Sequence, residues 1–302
     1  MNIMVPVSSA DKIGKLCAAG ADELYVGIYD EKWNRTFGNY EEINQMSSFG
    51  TKANVKIDEC KKIINECHNY GKAVYIAFNS GVYSERQTDY IMRLIQKNEL
   101  YESDGFIISD IGLILKMLEK NYRIILSTMT GIYNSEIVQF YYNMGIRRMI
   151  IPRDVQINNI ISLVNKFPEI KFEVFIMRNG CKYADSNCMS YHGRKYGSMC
   201  SCIDRQSDGI LLLDETMDGQ YQREIYDNNK LFTHVFHKKA CGLCFVKKLQ
   251  EAGVFSVKVV GRADNEAEVI SDIKIIKGLI EQDEHQKICY NDCWYGLNCY
   301  YH

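Results

Sequence analysis

"RIILSTMTGIYNSEIVQFYYNMGIRRMIIP", residues 123–152, holds a β-rich run, a helical pattern and a second β-rich run in that order. Strand, helix, strand is the repeating unit of a parallel sheet. The same alternation extends both ways along the chain. "NIMVPV", "ELYVGI", "AVYIAF" and "GFIIS" precede it, and "FEVFI" and "SVKVV" follow it. Helical patterns separate most of these runs. "SADKIGKLCAAG" opens on a cap-like Ser and closes on Gly. In "KIDECKKIINECHNYG" the residues Ile57, Cys60, Ile63, Ile64 and Cys67 share one helical face. "IGLILKMLEKNY", "QINNIISLVNKF" and "NEAEVISDIKIIKGLIEQ" continue the pattern. Eight strands alternating with helices predict an α/β fold, a (β/α)8 TIM-type barrel. An open doubly wound sheet is the rival. No GxGxxG follows the first strand, which weakens its dinucleotide-binding form.

The 302 residues suit one barrel, with residues 1–284 as a single domain and 285–302 as a cysteine-containing tail. No apolar run approaches the ~20 residues that cross a bilayer. The N-terminal "MNIMVPVSSADK" shows no basic-then-apolar leader, so the expected location is cytoplasmic. Net charge is −2, which disfavours nucleic acid as a partner. Twelve cysteines in such a chain point to metal or redox chemistry before disulfides.

The alternation breaks once, between "FEVFI" and "SVKVV". Ordinary βα connections run roughly 2–6 residues, and this one is far longer. It is expected to fold as a long cysteine-rich loop, residues 177–245, over the C-terminal mouth of the barrel. It carries Cys181, Cys188, Cys200, Cys202, Cys241 and Cys244, spaced C-x6-C-x11-C-x-C and later C-x2-C. One C-x2-C pair falls short of the two that a structural zinc site usually shows. Thiolates scattered along a loop suit an iron–sulfur cluster, while zinc and redox or structural thiols stay open as alternatives. Cys289, Cys293 and Cys299 in the tail could add a second metal site, or the tail could pack on the barrel floor. Cys17, Cys60 and Cys67 lie on apolar helix faces and are expected in the core.

Four segments carry a family resemblance. They are "GADELYVGI", "ILSTMTGIYNSEIVQFYYNMGIRRMIIPRDV", "FEVFIMRNGCKYADSNCMS" and "CGLCFVKKLQEAGVFSVKVVGR". Together they resemble the collagenase-like U-32 peptidase family over roughly residues 1–280. The resemblance implies a barrel and an oxygen-sensitive 4Fe-4S cluster. By motif position its ligands would be Cys181, Cys188, Cys200 and Cys241, with Cys202 and Cys244 as alternates. It also implies oxygen-independent hydroxylation of a quinone ring or of RNA bases, with prephenate as oxygen donor, and for short members a partner chain in a heteromer. The chain departs from the family pattern at "MRNG", at Val260 and at "ILSTMTGIYN".

Strand ends at the mouth supply ligand-binding candidates. They are Asn79, Asp110, Thr128, Arg153, Arg178 and Arg262. Three arginines there suit a small anionic, aromatic ligand, because guanidinium holds carboxylates bidentately. The plainer reading pairs each with an acid of its own, Arg153 with Asp154 for example. Tyr191 and His192 lie between two proposed ligands and could donate to cluster sulfurs, or be exposed loop residues. With no HExxH and no GxSxG, nothing marks a peptidase centre. Two classes remain: a 4Fe-4S hydroxylase, and a non-catalytic partner subunit that carries a cluster. RNA-base hydroxylation is a third reading.

Overall fold

The computed structural model describes residues 1–38, 41–181, 184–188, 240–282 and 299–301. Nine strands alternate with helices along them. The first part of the chain runs β1 (Asn2–Pro6), α1 (Ile13–Ala19), β2 (Glu23–Tyr29), α2 (Glu31–Phe37), β3 (Val55–Lys56), α3 (Cys60–Asn69) and β4 (Ala73–Phe78). The middle runs α4 (Glu85–Lys97), β5 (Gly105–Ile108), α5 (Ile111–Glu119), β6 (Ile124–Leu126), α6 (Ser135–Asn143), β7 (Arg148–Ile150) and α7 (Ile157–Lys166). The last part is β8 (Lys171–Met177), α8 (Val246–Glu251), β9 (Ser256–Val259) and α9 (Glu266–Glu281).

The strand order is β1-β9-β8-β7-β6-β5-β4-β2, and β1 also pairs with β2. That last pairing closes eight parallel strands into a TIM-type (β/α)8 barrel, as the sequence predicts. The two-residue β3 hangs on β2 outside the ring, with Ile28 opposite Val55. It belongs to a second break in the alternation that the sequence reading misses. Between β2 and α3 the chain inserts α2, a run of turns and β3 before resuming its rhythm.

The eight strands are those read from the sequence. Three helices, α2, α4 and α8, are missing from its helical patterns. α4 turns five buried positions inward, of which Gln87 and Thr88 are polar, so only Ile91, Leu94 and Ile95 mark its face as apolar. A capping box at Ser84 and Gln87 starts it instead. α2 is short and begins at an Asp30 cap. On α3, Cys60, Ile63, Ile64 and Cys67 are buried on one face, as expected.

The barrel interior is charged. Arg148 on β7 reaches Glu23 on β2 with two bonds of 2.8 and 2.6 Å, and Glu173 on β8 at 2.8 Å. β2 and β7 are not neighbours, so these side chains meet across the lumen. Lys258 on β9 stands 3.3 Å from Glu173 and 4.1 Å over the Tyr25 ring. Two cations thus face two carboxylates below the mouth.

Candidate functional site at the barrel mouth

At the end of β8 the backbone turns sharply. Arg178 and Asn179 take φ of 64° and 48°, left-handed values that ordinary residues avoid. The Arg178 side chain offsets that strain. Its Nε donates to Asp272 on α9, its Nη2 donates to the other Asp272 oxygen at 3.0 Å, and its Nη1 reaches Glu268 at 3.2 Å. Arg153, beyond β7, holds the next stretch. Its Nε donates to Asp185 at 3.0 Å and its Nη1 to the Asn179 carbonyl, while the guanidinium lies 4.6 Å over Phe175. Asp185 opens the short turn Asp185–Asn187, and its carbonyl accepts from the Cys188 N–H at 3.2 Å. Two arginines therefore fix the loop that presents Cys181 and Cys188. The partner of Arg153 is Asp185 and not Asp154, whose carboxylate instead accepts from the Tyr133 hydroxyl at 3.3 Å.

A second segment joins the end of β8. Cys241 forms an antiparallel bridge with Met177 and a parallel bridge with Cys299. The Gly242 N–H donates to the Ile176 carbonyl at 2.8 Å, and the Tyr300 N–H to the Cys241 carbonyl at 3.1 Å. The Leu243 N–H points at the Cys241 sulfur, 3.5 Å away. Tyr300 donates to the Arg178 carbonyl and Tyr301 to the Phe175 carbonyl. Gly242 makes room for this: a Cβ there would lie 2.5 Å from the Tyr301 ring. The described end of the tail thus packs at the mouth, not on the barrel floor. Burial pushes the Tyr300 hydroxyl above its ordinary range. Arg153 opposes this, and Asp185, Cys241 and Cys181 add to it. Those groups therefore share one neighbourhood.

Cys244 is exposed on the short turn Leu243–Phe245. Cys200, Cys202, Cys289, Cys293, Tyr191 and His192 lie outside the described residues. Among the described residues, no three His, Cys, Asp or Glu side chains stand together as a ready metal site.

Across the mouth stands Arg262, just past β9 and buried. Its Nη1 donates to Asn44 at 3.1 Å and Asn54 at 3.0 Å. Both amides are locked: Asn44 donates to the Ile28 carbonyl, and Asn54 donates to the Met46 and Gly50 carbonyls. They come from the insertion between β2 and α3, and neither was a candidate from sequence. The signal was the length of that connection. Asn79 accepts from the Gln45 N–H at 3.3 Å and donates to Ser127 at 3.5 Å. Thr128 is buried at the start of a short turn. Asp110 caps α5 through the Leu113 N–H at 2.8 Å and accepts from the Tyr83 N–H at 3.2 Å. Its carboxylate is thus engaged by backbone.

The sequence profile of peptidase family U32 matches residues 8–294. The tRNA hydroxylation protein P of Haemophilus influenzae is 28% identical over 194 residues, covering 64% of this chain and 37% of that protein. The collagenase of Porphyromonas gingivalis is 21% identical, covering 92% of this chain and 65% of that protein. The chain therefore spans about one third to two thirds of the length of these relatives. A solved U32 peptidase structure overlaps 59% of this chain and 69% of its own, at TM-score 0.42 and 10% identity. At those values the fold rests on the strand pairing of this chain. The profile match runs from just past β1, through the other seven strands of the ring and both cysteine segments, into the tail. By that match the chain belongs to peptidase family U32.

Proposed function

We propose that the chain is an iron–sulfur protein of the hydroxylating kind within its family. In this reading Cys181, Cys188, Cys200 and Cys241 hold a 4Fe-4S cluster over the barrel mouth. The observation that carries it is the bridge between Met177 and Cys241. Through it, two segments far apart in sequence bring their cysteines to the end of one strand. The donor chemistry fits: thiols from a turn-rich loop, a backbone N–H on one sulfur and half-buried arginines close by. Arg153 and Arg178 would then be positioning residues, holding the loop that carries the first two ligands. A bound cluster would supply one-electron chemistry beside the mouth. The chain itself would bind the substrate and the oxygen donor, for which the resemblance suggests prephenate, and keep bulk water out.

The favoured acceptor is a small aromatic or quinone-like ring. The relative from Haemophilus influenzae, by its name, favours a second reading, a tRNA base. The net charge of −2 favours the first. A cluster-bearing subunit that serves a catalytic partner is the non-enzymatic form of the same reading.

The test is mass spectrometry on anaerobic cells expressing the wild type or Cys188→Ser. Quinone-type lipids and tRNA nucleosides are compared for gain of one oxygen atom. A hydroxylated ring compound that vanishes in the variant supports the first reading, and a hydroxylated nucleoside supports the second. No oxygen gain in either pool, in cells where the protein carries iron, contradicts an independent hydroxylase.

A further inference from the structure

We propose that the outward edge of Arg262 is a receptor for one carboxylate group of a small organic acid. This deepens the function above, because it assigns a ligand class to the same mouth. It rests on geometry that does not involve the cysteines.

Arg262 keeps 8% of its surface exposed, and burial lowers its pKa to about 10, so the group still carries its charge at neutral pH. A buried charge calls for a counter-charge. Arg262 has none in an ion pair among the described residues. Its hydrogen-bond partners, Asn44 and Asn54, are neutral carbonyl oxygens, and both engage the same nitrogen, Nη1. Tyr25 and Glu42 act on the guanidinium only at a distance. Nε and Nη2 meet no acceptor among the described residues. Nor are they among the sealed buried atoms that lack a partner, so the described residues leave that edge unsealed.

Arg178 shows what this edge does. There Nε and Nη2 each take one oxygen of Asp272, a side-on fork around a single carboxylate. Arg262 presents the same two donors with no carboxylate of its own. The charge balance points the same way. Arg153 is matched by Asp185, Arg178 by Asp272, and the lumen pair Arg148 and Lys258 by Glu23 and Glu173. Among the described residues, Arg262 is the mouth arginine that has no ion pair. A carboxylate matches it, and its planar pair of oxygens matches the fork. A phosphate dianion would bring a second charge with no second cation to meet it.

The site is also pre-built. The two asparagines are fixed by backbone carbonyls before any ligand arrives. Gly27 on β2 leaves the space the guanidinium fills: a Cβ there would lie 1.5 Å from Nη1 and 2.3 Å from the Asn54 oxygen. The close approach explains glycine in the middle of a strand.

The experiment is calorimetric titration of the full chain with acetate, benzoate and phenylpyruvate. Benzamide serves as the neutral isostere and inorganic phosphate as the competing anion. Iron-free and anaerobically iron-loaded protein are titrated in parallel. At least one carboxylate should bind the wild type about tenfold or more tighter than benzamide, and Arg262→Gln should erase that preference. Arg262→Lys, which keeps the charge and loses the fork, should weaken it. Gly27→Ala, which keeps Arg262 and displaces it, should weaken it too, with folding of every variant checked by circular dichroism. The proposal is overturned if no carboxylate binds the folded wild type, if folded Arg262→Gln binds as well as the wild type, or if phosphate binds tighter than every carboxylate. Failure of the cluster reading would show as protein that takes up no iron while carboxylate binding persists.

Discussion

Glu173 is fully buried in the barrel lumen and serves two cations at once, Arg148 at 2.8 Å and Lys258 at 3.3 Å. Lys258 depends on it most. Burial pulls the lysine pKa down, and Glu173 is the main group opposing that. Arg148 has a second carboxylate, Glu23, and the two acids outweigh its burial and leave it raised. Glu173→Leu should therefore strand Lys258 and cost about 3–5 kcal/mol of stability, measured by urea unfolding. A loss under about 1 kcal/mol would mean the lumen charges are dispensable. At this scale the sequence was legible on one side only. Strand ends picked out Arg153, Arg178 and Arg262, because charge at a barrel mouth is conspicuous. Their partners stand 32, 94 and more than 200 positions away in the chain, and no local pattern ties them together.

Among the elements, α3 makes a pH-dependent contribution. Burial pushes the Cys60 and Cys67 thiols from an ordinary 9.0 up to about 12. Between those values the folded chain keeps protons that the unfolded chain sheds. Their stabilisation is complete below pH 9 and declines as pH rises toward 12. Each thiol should cost about 1 kcal/mol between about pH 8 and about pH 10, so a Cys60→Ala/Cys67→Ala variant should show a flatter decline in urea unfolding across that range. An equally steep decline in the variant would assign the effect to other groups. α3 was legible because its buried face is apolar at helical spacing. α4 was not, because Gln87 and Thr88 occupy inward positions and local caps carry its start. The insertion holding Asn44 and Asn54 lacks either period. Its turns are built from side chain to backbone bonds, which leave no periodic trace.

For the whole molecule, eight parallel strands closed by the β1–β2 pairing set the C-terminal strand ends around one mouth. That closure was readable from the eight apolar runs and the helices between them. The return of Cys241 and Cys299 to the end of β8 was not, since a bridge between distant segments has no local signature. The central claim is that this convergence serves an iron–sulfur cluster. Its most direct test is iron and acid-labile sulfide content, with the visible spectrum, on anaerobically purified wild type and on a Cys181→Ala/Cys241→Ala variant. The account predicts about four irons and four sulfides per chain with broad absorption near ~400 nm, all lost in the folded variant. Stoichiometric zinc without iron or sulfide, or iron retained in full by the variant, would contradict it.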